Sequence, residues 1–341
     1  MARVMRQGSL LRYVKRECIK YEPSEQFWNE DILLRRNRLS CVHLSNSIWY
    51  FERLVTTIRH SLIDVVTLRD LSVKNSKGPK LAFRFDIDID PAISVKMATY
   101  LAFEGMPGSF YFLHTASYYG EWCGKTFVRN SKLRSYIREI SACGMEVGLH
   151  NDLLGSFISH KLDPVDVLDR ELDWLRSVGG DVRGTVAHNS LPVYGAANSE
   201  VFSECMLWKR KVYSKNGILP LSVCSMKQFG LEYEGTFFNA KKNLDMNKVK
   251  RFVGGEPIPD IRSQEWFYDW IVNNPIHNNV CDYQIWVISK EMWVIAGNNE
   301  NMYFKWGVGF DDVIDFISNV QGDVKIMVVI HPVYFCEDVL V

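Results

Sequence analysis

The chain has 341 residues, of which 47% are hydrophobic and 23% charged, a composition typical of a folded protein with a sizeable core. Forty basic and forty acidic side chains give a formal net charge of zero, so bulk charge indicates neither a nucleic acid nor an anionic membrane surface as partner. No stretch of about 18 uncharged apolar residues is present to span a bilayer, and a small or neutral substrate fits best.

Residues 1–16 carry several basic side chains but no uninterrupted apolar core and no small-residue cleavage site, so we predict no secretory signal peptide. The eight cysteines are scattered and form neither a Cys-x-x-Cys pair nor a dense framework, which favours reduced thiols. We therefore expect a cytoplasmic protein.

The first part of the chain is rich in arginine and in helix-compatible residues, with no strand bounded by turn signals before Lys80. Apolar residues recur there at helical spacing, at Ile48, Phe51, Val55, Ile58 and Leu62. We predict a helical N-terminal extension over residues 1–80, packed on one catalytic domain that spans residues 81–341.

From Leu81 onward the chain repeats one unit, a short apolar strand followed by an amphipathic helix. The first strand is predicted at Leu81–Phe85, and its helix begins with Asp90 as N-cap and Pro91 as first helical residue. The further predicted strands are Ser109–Leu113, Met145–Leu149, Val182–Ala187, Tyr283–Ser289, Trp293–Ala296 and Val324–Ile330. This alternation predicts an α/β fold, a distorted (β/α) barrel of about seven parallel strands of the TIM type.

Ionisable residues follow four of the predicted strands: Asp86 and Asp88 the first, His150 the third, His188 the fourth and His331 the last. Because the carboxyl ends of barrel strands open onto one face, we expect these side chains to converge. Two carboxylates two residues apart on a strand point the same way and repel each other, which a bound cation relieves. Carboxylates and imidazoles around an open position for water predict a hydrolytic metal site.

Other ionisable residues have simpler interpretations. Asp90 directly precedes Pro91 and is interpreted as a helix cap. The remaining histidines are interpreted as surface or core residues without a ligand role: His43, His60, His114, His160 and His277.

The strand-end residues also carry a family resemblance. The first strand region reads Leu-Ala-Phe-Arg-Phe-Asp-Ile-Asp-Ile-Asp-Pro, and after a helix comes Gly-Ser-Phe-Tyr-Phe-Leu. The run Gly-Met-Glu-Val-Gly-Leu-His ends at His150, and Ile-His-Pro surrounds His331. These four motifs, in this order over residues 81–335, resemble the polysaccharide-deacetylase (NodB-homology) superfamily.

The resemblance implies a barrel enzyme that removes acyl groups, usually N-acetyl, from an amino sugar or a glycan intermediate. It implies one divalent metal ion as cofactor, zinc before cobalt, nickel or manganese. Matched residue by residue, Asp86 is the general base and Asp88 the metal-binding carboxylate. His150 is then the first ligating histidine and His331 the general acid.

The chain departs from the family's pattern at two places. The second histidine, which the family has four residues after the first, is Leu154 here. The third metal ligand is therefore open between Asp152 on the same loop and His188 after the next strand. The family's arginine-proline motif is absent, and we expect Asn189 and Tyr194, in the segment that replaces it, to bind substrate.

Three other functions compete with a deacetylase. An Asp-x-Asp motif also holds manganese in glycosyltransferases, but the three strand-end histidines do not belong to that chemistry. Phosphatases of the haloacid-dehalogenase type need Thr or Val where this chain has Asp90. The serious rival is a barrel that lost its third ligand and binds a glycan without cleaving it.

Overall fold

The computed structural model has a mixed α/β fold built on one curled sheet. It describes residues 45–73, 77–123, 126–188, 197–205, 211–214, 217–220, 224–235, 282–287, 292–302 and 310–332. The helices are α1 (Ser45–Arg59), α2 (Leu68–Val73), α3 (Pro91–Phe103), α4 (Leu133–Ala142), α5 (Leu153–His160), α6 (Pro164–Val178) and α7 (Phe310–Asn319), with short 3-10 helices at Ala197–Val201, Ser203–Cys205 and Met226–Phe229. The strands are β1 (Asp64–Val65), β2 (Lys80–Ile87), β3 (Ser109–Leu113), β4 (Gly120–Cys123), β5 (Thr126–Arg129), β6 (Glu146–Asn151), β7 (Gly184–Ala187), β8 (Lys211–Ser214), β9 (Gly217–Pro220), β10 (Tyr233–Glu234), β11 (Asp282–Val287), β12 (Met292–Met302) and β13 (Lys325–Ile330). Within this part of the chain, no helix has the length and apolar character needed to cross a bilayer.

The central feature is a half-barrel of six parallel strands in the order β10-β7-β6-β3-β2-β13. The short strand β1 pairs with the beginning of β2. A strand therefore lies before Lys80, where the sequence predicts none. Nearly every residue of β2 is buried, as in parallel strands that are covered on both faces. The predicted parallel β/α units are confirmed, whereas the TIM-type barrel of about seven parallel strands stays a prediction.

One of the two predicted edge strands, β12, runs opposite to the half-barrel strands, while β11 runs in their direction. The strands β11 and β12 lie where the sequence predicts them, but β12 is antiparallel to β13 and β11 is antiparallel to β12. Only residues 288–291 separate them, and a parallel connection needs a crossover of about a dozen residues or more. The expectation of parallel strands is therefore wrong for this edge of the sheet.

Helix α1 buries Phe51, Val55 and Ile58 as the spacing of its apolar residues predicts, whereas Leu62 lies beyond the end of the helix and is 90% exposed. The ring of Phe51 lies 5.9 Å from that of Phe83 and 6.2 Å from that of Phe85, both on β2. It also lies 5.9 Å from the ring of Tyr100 on α3. Helix α1 therefore shares one core with the sheet, while the domain boundary at residue 80 stays a prediction.

Tyrosine rings fill the inside of the half-barrel beneath the strand ends. Tyr111 on β3 is paired with Gly148 on β6, and Tyr233 on β10 is paired with Gly184 on β7. The two hydroxyl groups are 2.6 Å apart, and that of Tyr233 donates to Glu146 at 2.6 Å. The glycines are needed because a Cβ atom on Gly184 would lie 1.9 Å from the ring of Tyr233.

We expect Gly184→Ala to lower the free energy of unfolding by about 3 kcal/mol, because the added methyl group overlaps a buried ring that cannot move away. Urea unfolding followed by circular dichroism measures the loss. Gly180→Ala is the matched control, since its Cβ would meet Val182 at 3.2 Å, a contact that a small shift relieves. Equal losses in the two variants would contradict this account of the interior.

The hairpin of β4 and β5 is an element that the sequence analysis does not predict. Its four-residue strands are too short to show an alternation that could be recognised. Glu171 on α6 anchors it, since this buried carboxylate accepts hydrogen bonds from Tyr119, at 2.9 Å, and from Arg129. Arg170 binds the other carboxylate oxygen at 2.9 Å. The hairpin is thus fixed at the carboxyl end of the sheet, beside the strand ends that carry the site.

We expect Glu171→Gln to destabilise the protein at pH 7 by about 2 kcal/mol, as for other hydrogen bonds to charged groups. Burial raises the pKa of Glu171, but Arg129 and His114 lower it more, so the net shift is downward. A carboxyl whose folded pKa is depressed stabilises above its unfolded pKa of about 4.3, and this contribution disappears as the pH falls through the folded value. The difference from wild type, measured by urea unfolding, should therefore shrink in acid.

Glu139→Gln on the exposed face of α4 is the control for this comparison. It removes a solvated carboxylate, so it should differ from wild type by less than about 0.5 kcal/mol at either pH. A Glu171→Gln penalty that stays constant down to pH 3 would show that the carboxylate charge contributes nothing to the anchoring of the hairpin.

Candidate metal centre

Five ionisable side chains meet at the carboxyl ends of four parallel strands. Asp86 lies in β2 and Asp88 directly follows it. His150 lies on β6, which is separated from β2 by the single strand β3. His188 follows β7, and His331 follows β13 on the other side of β2. Strands that run in parallel end at the same edge of the sheet, which is why residues so far apart in sequence come together.

Asp88, His150 and His188 form a group that could hold a metal ion, since one ligand atom from each lies within 4.8 Å of the others. The Oδ1 atom of Asp88 is 3.4 Å from Nε2 of His150 and 3.9 Å from Nε2 of His188. The two imidazole rings are nearly perpendicular, with centroids 4.9 Å apart. About a fifth of the Asp88 and His188 side chains is exposed (23% and 21%), so an ion can reach the group from solvent.

Hydrogen bonding in this group supports a cation between its members. Nδ1 of His150 is 3.1 Å from the carbonyl oxygen of Val186, so this nitrogen carries a proton, and in the neutral form of the ring Nε2 presents a lone pair to Asp88. Two acceptors that face each other need a proton or a metal ion between them. Oδ1 of Asp88 and Nδ1 of His188 are buried atoms with no hydrogen-bond partner in the described residues. The donor set therefore fits a divalent ion.

Asp86 is held by an arginine that the sequence analysis does not consider. Arg84 lies two residues earlier on β2, and its Nε and Nη2 atoms donate to the two oxygens of Asp86 at 2.8 Å and 2.6 Å. Both side chains are almost fully buried, with 6% and 4% exposed. The pair neutralises Asp86, so Asp88 is the carboxylate left to balance a bound cation.

His331 approaches the two carboxylates from the β13 side of β2, whereas His150 and His188 approach from the other side. Its Nε2 atom lies 3.9 Å from Oδ2 of Asp88 and 4.0 Å from Oδ2 of Asp86. It does not belong to the group that could hold a metal ion. Its imidazole therefore lies beside both carboxylates but outside the metal-capable group.

The charges of the cluster shift the pKa values of its members. Burial raises the pKa of Asp86, but Arg84 and the nearby histidines lower it more, and the net shift is downward. Burial also raises the pKa of Asp88, but His150 and the other histidines lower it more, and the net shift is again downward. For His150 burial lowers the pKa and the two aspartates raise it, with a net upward shift. Burial and the charge of His150 lower the pKa of His188, so both carboxylates are anions and His188 is a neutral donor.

Asp152, the other candidate for third ligand, lies in a network of hydrogen bonds behind His188. Its oxygens accept from Thr115 at 3.0 Å and from Asn198 at 3.1 Å. Its backbone amide donates to Nε2 of His114 at 2.9 Å. His114 is interpreted from the sequence as a residue without a ligand role, although it directly follows β3, and this position at a strand end was the signal that could have indicated one.

The sequence-predicted residues thus divide into three sets. Asp86, Asp88 and the three strand-end histidines are brought together, and Asp90 caps α3 by accepting from Ala92 at 2.9 Å, which confirms its interpretation. Asp152 lies behind the cluster, and the predicted substrate contacts Asn189 and Tyr194 lie outside the described residues. Comparisons of the chain with family models, with curated proteins and with solved structures found no match.

Proposed function

We propose that this chain is a metal-dependent hydrolase that removes an acyl group, foremost N-acetyl, from an amino sugar or a glycan intermediate. The observation that carries the proposal is the convergence of two carboxylates and three histidines, with neighbouring atoms 3.4 to 4.0 Å apart. The half-barrel supports it, because these residues come from four of its parallel strands. The TIM-type barrel and the cytoplasmic location belong to the proposal and stay predictions.

Asp88, His150 and His188 would hold the ion. One carboxylate and two imidazoles with an open position are a donor set of catalytic zinc sites, so zinc is the first choice, and cobalt, nickel or manganese could replace it. An ion bound there would polarise the acyl carbonyl and lower the pKa of water to roughly 7. A single ion suits the charge balance, because Arg84 already neutralises Asp86.

Asp86 and His331 would move the protons. Arg84 uses one lone pair on each oxygen of Asp86, and a carboxylate has about four such positions, so Oδ2 keeps one for the attacking water. Asp86 would take the proton of this water as it adds to the acyl carbon. His331, within 4.0 Å of both carboxylates, would give a proton to the amine as the C–N bond breaks.

The proposal is tested by acetate release from a panel of N-acetylated amino sugars and glycans, with protein loaded with zinc or cobalt. Wild type should release acetate. His331→Gln should bind the ion as wild type does but lose a factor of roughly 10² to 10⁴ in kcat, the usual contribution of a general acid. A protein that binds the ion, binds glycans and releases no acetate from any of them would instead be the silent glycan-binding barrel.

A further inference from the structure

We propose that Asn198 is a positioning residue of the metal centre, which fixes His188 as the third ligand. The proposal rests on the proposed function, because it assumes that the group binds an ion. Asn198 lies in the short helix Ala197–Val201 and is completely buried. Its Nδ2 atom donates to the carbonyl oxygen of His188 at 2.7 Å, and its Oδ1 atom accepts from the amide of Leu154 at 2.8 Å.

His188 needs such support more than His150 does. The ring of His150 is oriented by the bond between Nδ1 and the Val186 carbonyl, whereas Nδ1 of His188 has no hydrogen-bond partner among the described residues. His188 also lies beyond the last residue of β7, outside the regular pairing of the sheet. Its backbone amide donates to the carbonyl oxygen of Asn151 at 2.9 Å. Its own carbonyl oxygen accepts from Asn198 at 2.7 Å, so the backbone is held on both sides of the residue. The position of the backbone, and with it the direction in which the His188 side chain leaves the strand end, is therefore fixed by these two bonds.

The amide of Asn198 is itself held in place by Asp152. Nδ2 of Asn198 donates to Oδ1 of Asp152 at 3.1 Å, and Oδ2 of Asp152 accepts from Thr115 at 3.0 Å. The backbone of Asp152 is tied to His114. A Cβ atom on Gly155 would lie 2.3 Å from Oδ1 of Asp152, so this carboxylate fits closely where it is. The network joins the ends of β3, β6 and β7, and it gives Asp152 a role behind the ligands.

A double-mutant cycle on cobalt(II) binding tests the proposal. Asn198→Ala is made in wild type and in His188→Ala, and the dissociation constant is measured by competition with a chelating dye. The visible absorption of bound cobalt, which reports its coordination geometry, is recorded for each protein. We expect Asn198→Ala to weaken binding about 10- to 100-fold, as second-shell changes do, and to alter the cobalt spectrum. In the His188→Ala background the same change should have no further effect on binding.

Asn130→Ala is the matched control, because Asn130 is a buried asparagine that accepts a hydrogen bond from Lys132 outside the centre. It should cost stability and leave cobalt binding and the spectrum unchanged. If Asn198→Ala does not fold, Asn198→Ser, which keeps a polar group at this buried position on a shorter side chain, replaces it. A folded Asn198 variant that binds cobalt as wild type does, or that loses the same factor in both backgrounds, would overturn the positioning role. A wild-type protein that binds no divalent ion would instead refute the proposed function.

Discussion

We expect Asp88→Asn to abolish tight binding of divalent ions while the protein stays folded. Asp88 supplies the carboxylate of the metal-capable group, and its Oδ1 atom lies 3.4 Å from His150 and 3.9 Å from His188. The amide keeps the shape but removes the negative charge that balances the ion. Because a direct ligand is lost, the affinity should fall by more than the roughly 100-fold typical of second-shell changes. Cobalt titration with a competing dye measures this loss.

Asp90→Asn is the matched control, since it makes the same chemical change two residues further along the chain. Asp90 caps α3, and asparagine is an equally good N-cap, so metal binding and stability should both stay close to wild type. Equal affinity in Asp88→Asn and Asp90→Asn would exclude Asp88 as a ligand.

The second large effect is expected from Arg84→Met. Arg84 and Asp86 form a pair that is almost fully buried, and removal of one partner leaves an uncompensated charge inside the protein. Such a change typically costs about 3 to 5 kcal/mol. Urea unfolding of the metal-free protein at pH 7 measures it. The penalty should decrease as the pH falls, because Asp86 without Arg84 loses the main influence that keeps its pKa low and takes up a proton.

The double variant Arg84→Met with Asp86→Leu is the control for this prediction. Replacement of a buried ion pair by apolar residues of similar volume is often neutral or stabilising. The double variant should therefore recover most of the stability that Arg84→Met loses, although it should not recover hydrolysis. If the second change adds to the loss, the cost comes from packing around Arg84 and not from the charge of Asp86.

Much of the site's position could be predicted from the sequence, because it follows from a pattern. Apolar runs that alternate with amphipathic helices predict parallel strands, and parallel strands end at one edge of a sheet. Asp88, His150 and His188 each stand at the end of such a run, so their convergence required no knowledge of side-chain positions. The cap at Asp90 was predictable for a similar reason, since Asp followed by Pro is a local signal.

The residues that sequence analysis missed depend on contacts between side chains. Arg84 stands inside an apolar strand, two residues before Asp86 and so on the same face, but only the structure shows that the two side chains pair. Asn198 lies ten positions beyond His188 and is connected to it by a hydrogen bond to a backbone carbonyl, for which no residue pattern exists. The reversed direction of β12 depended on the short connection from β11 and not on the apolar character of either strand.

The most direct test of the metal centre is anomalous diffraction from crystals of the zinc-loaded protein, recorded on both sides of the zinc absorption edge. We predict one anomalous peak per chain, about 2.0 to 2.2 Å from Oδ1 of Asp88 and from Nε2 of His150 and His188. Asp86 should remain paired with Arg84, and Asp152 should remain bonded to Asn198. A peak bound by Asp152 in place of His188, or no peak at this cluster, would contradict the account.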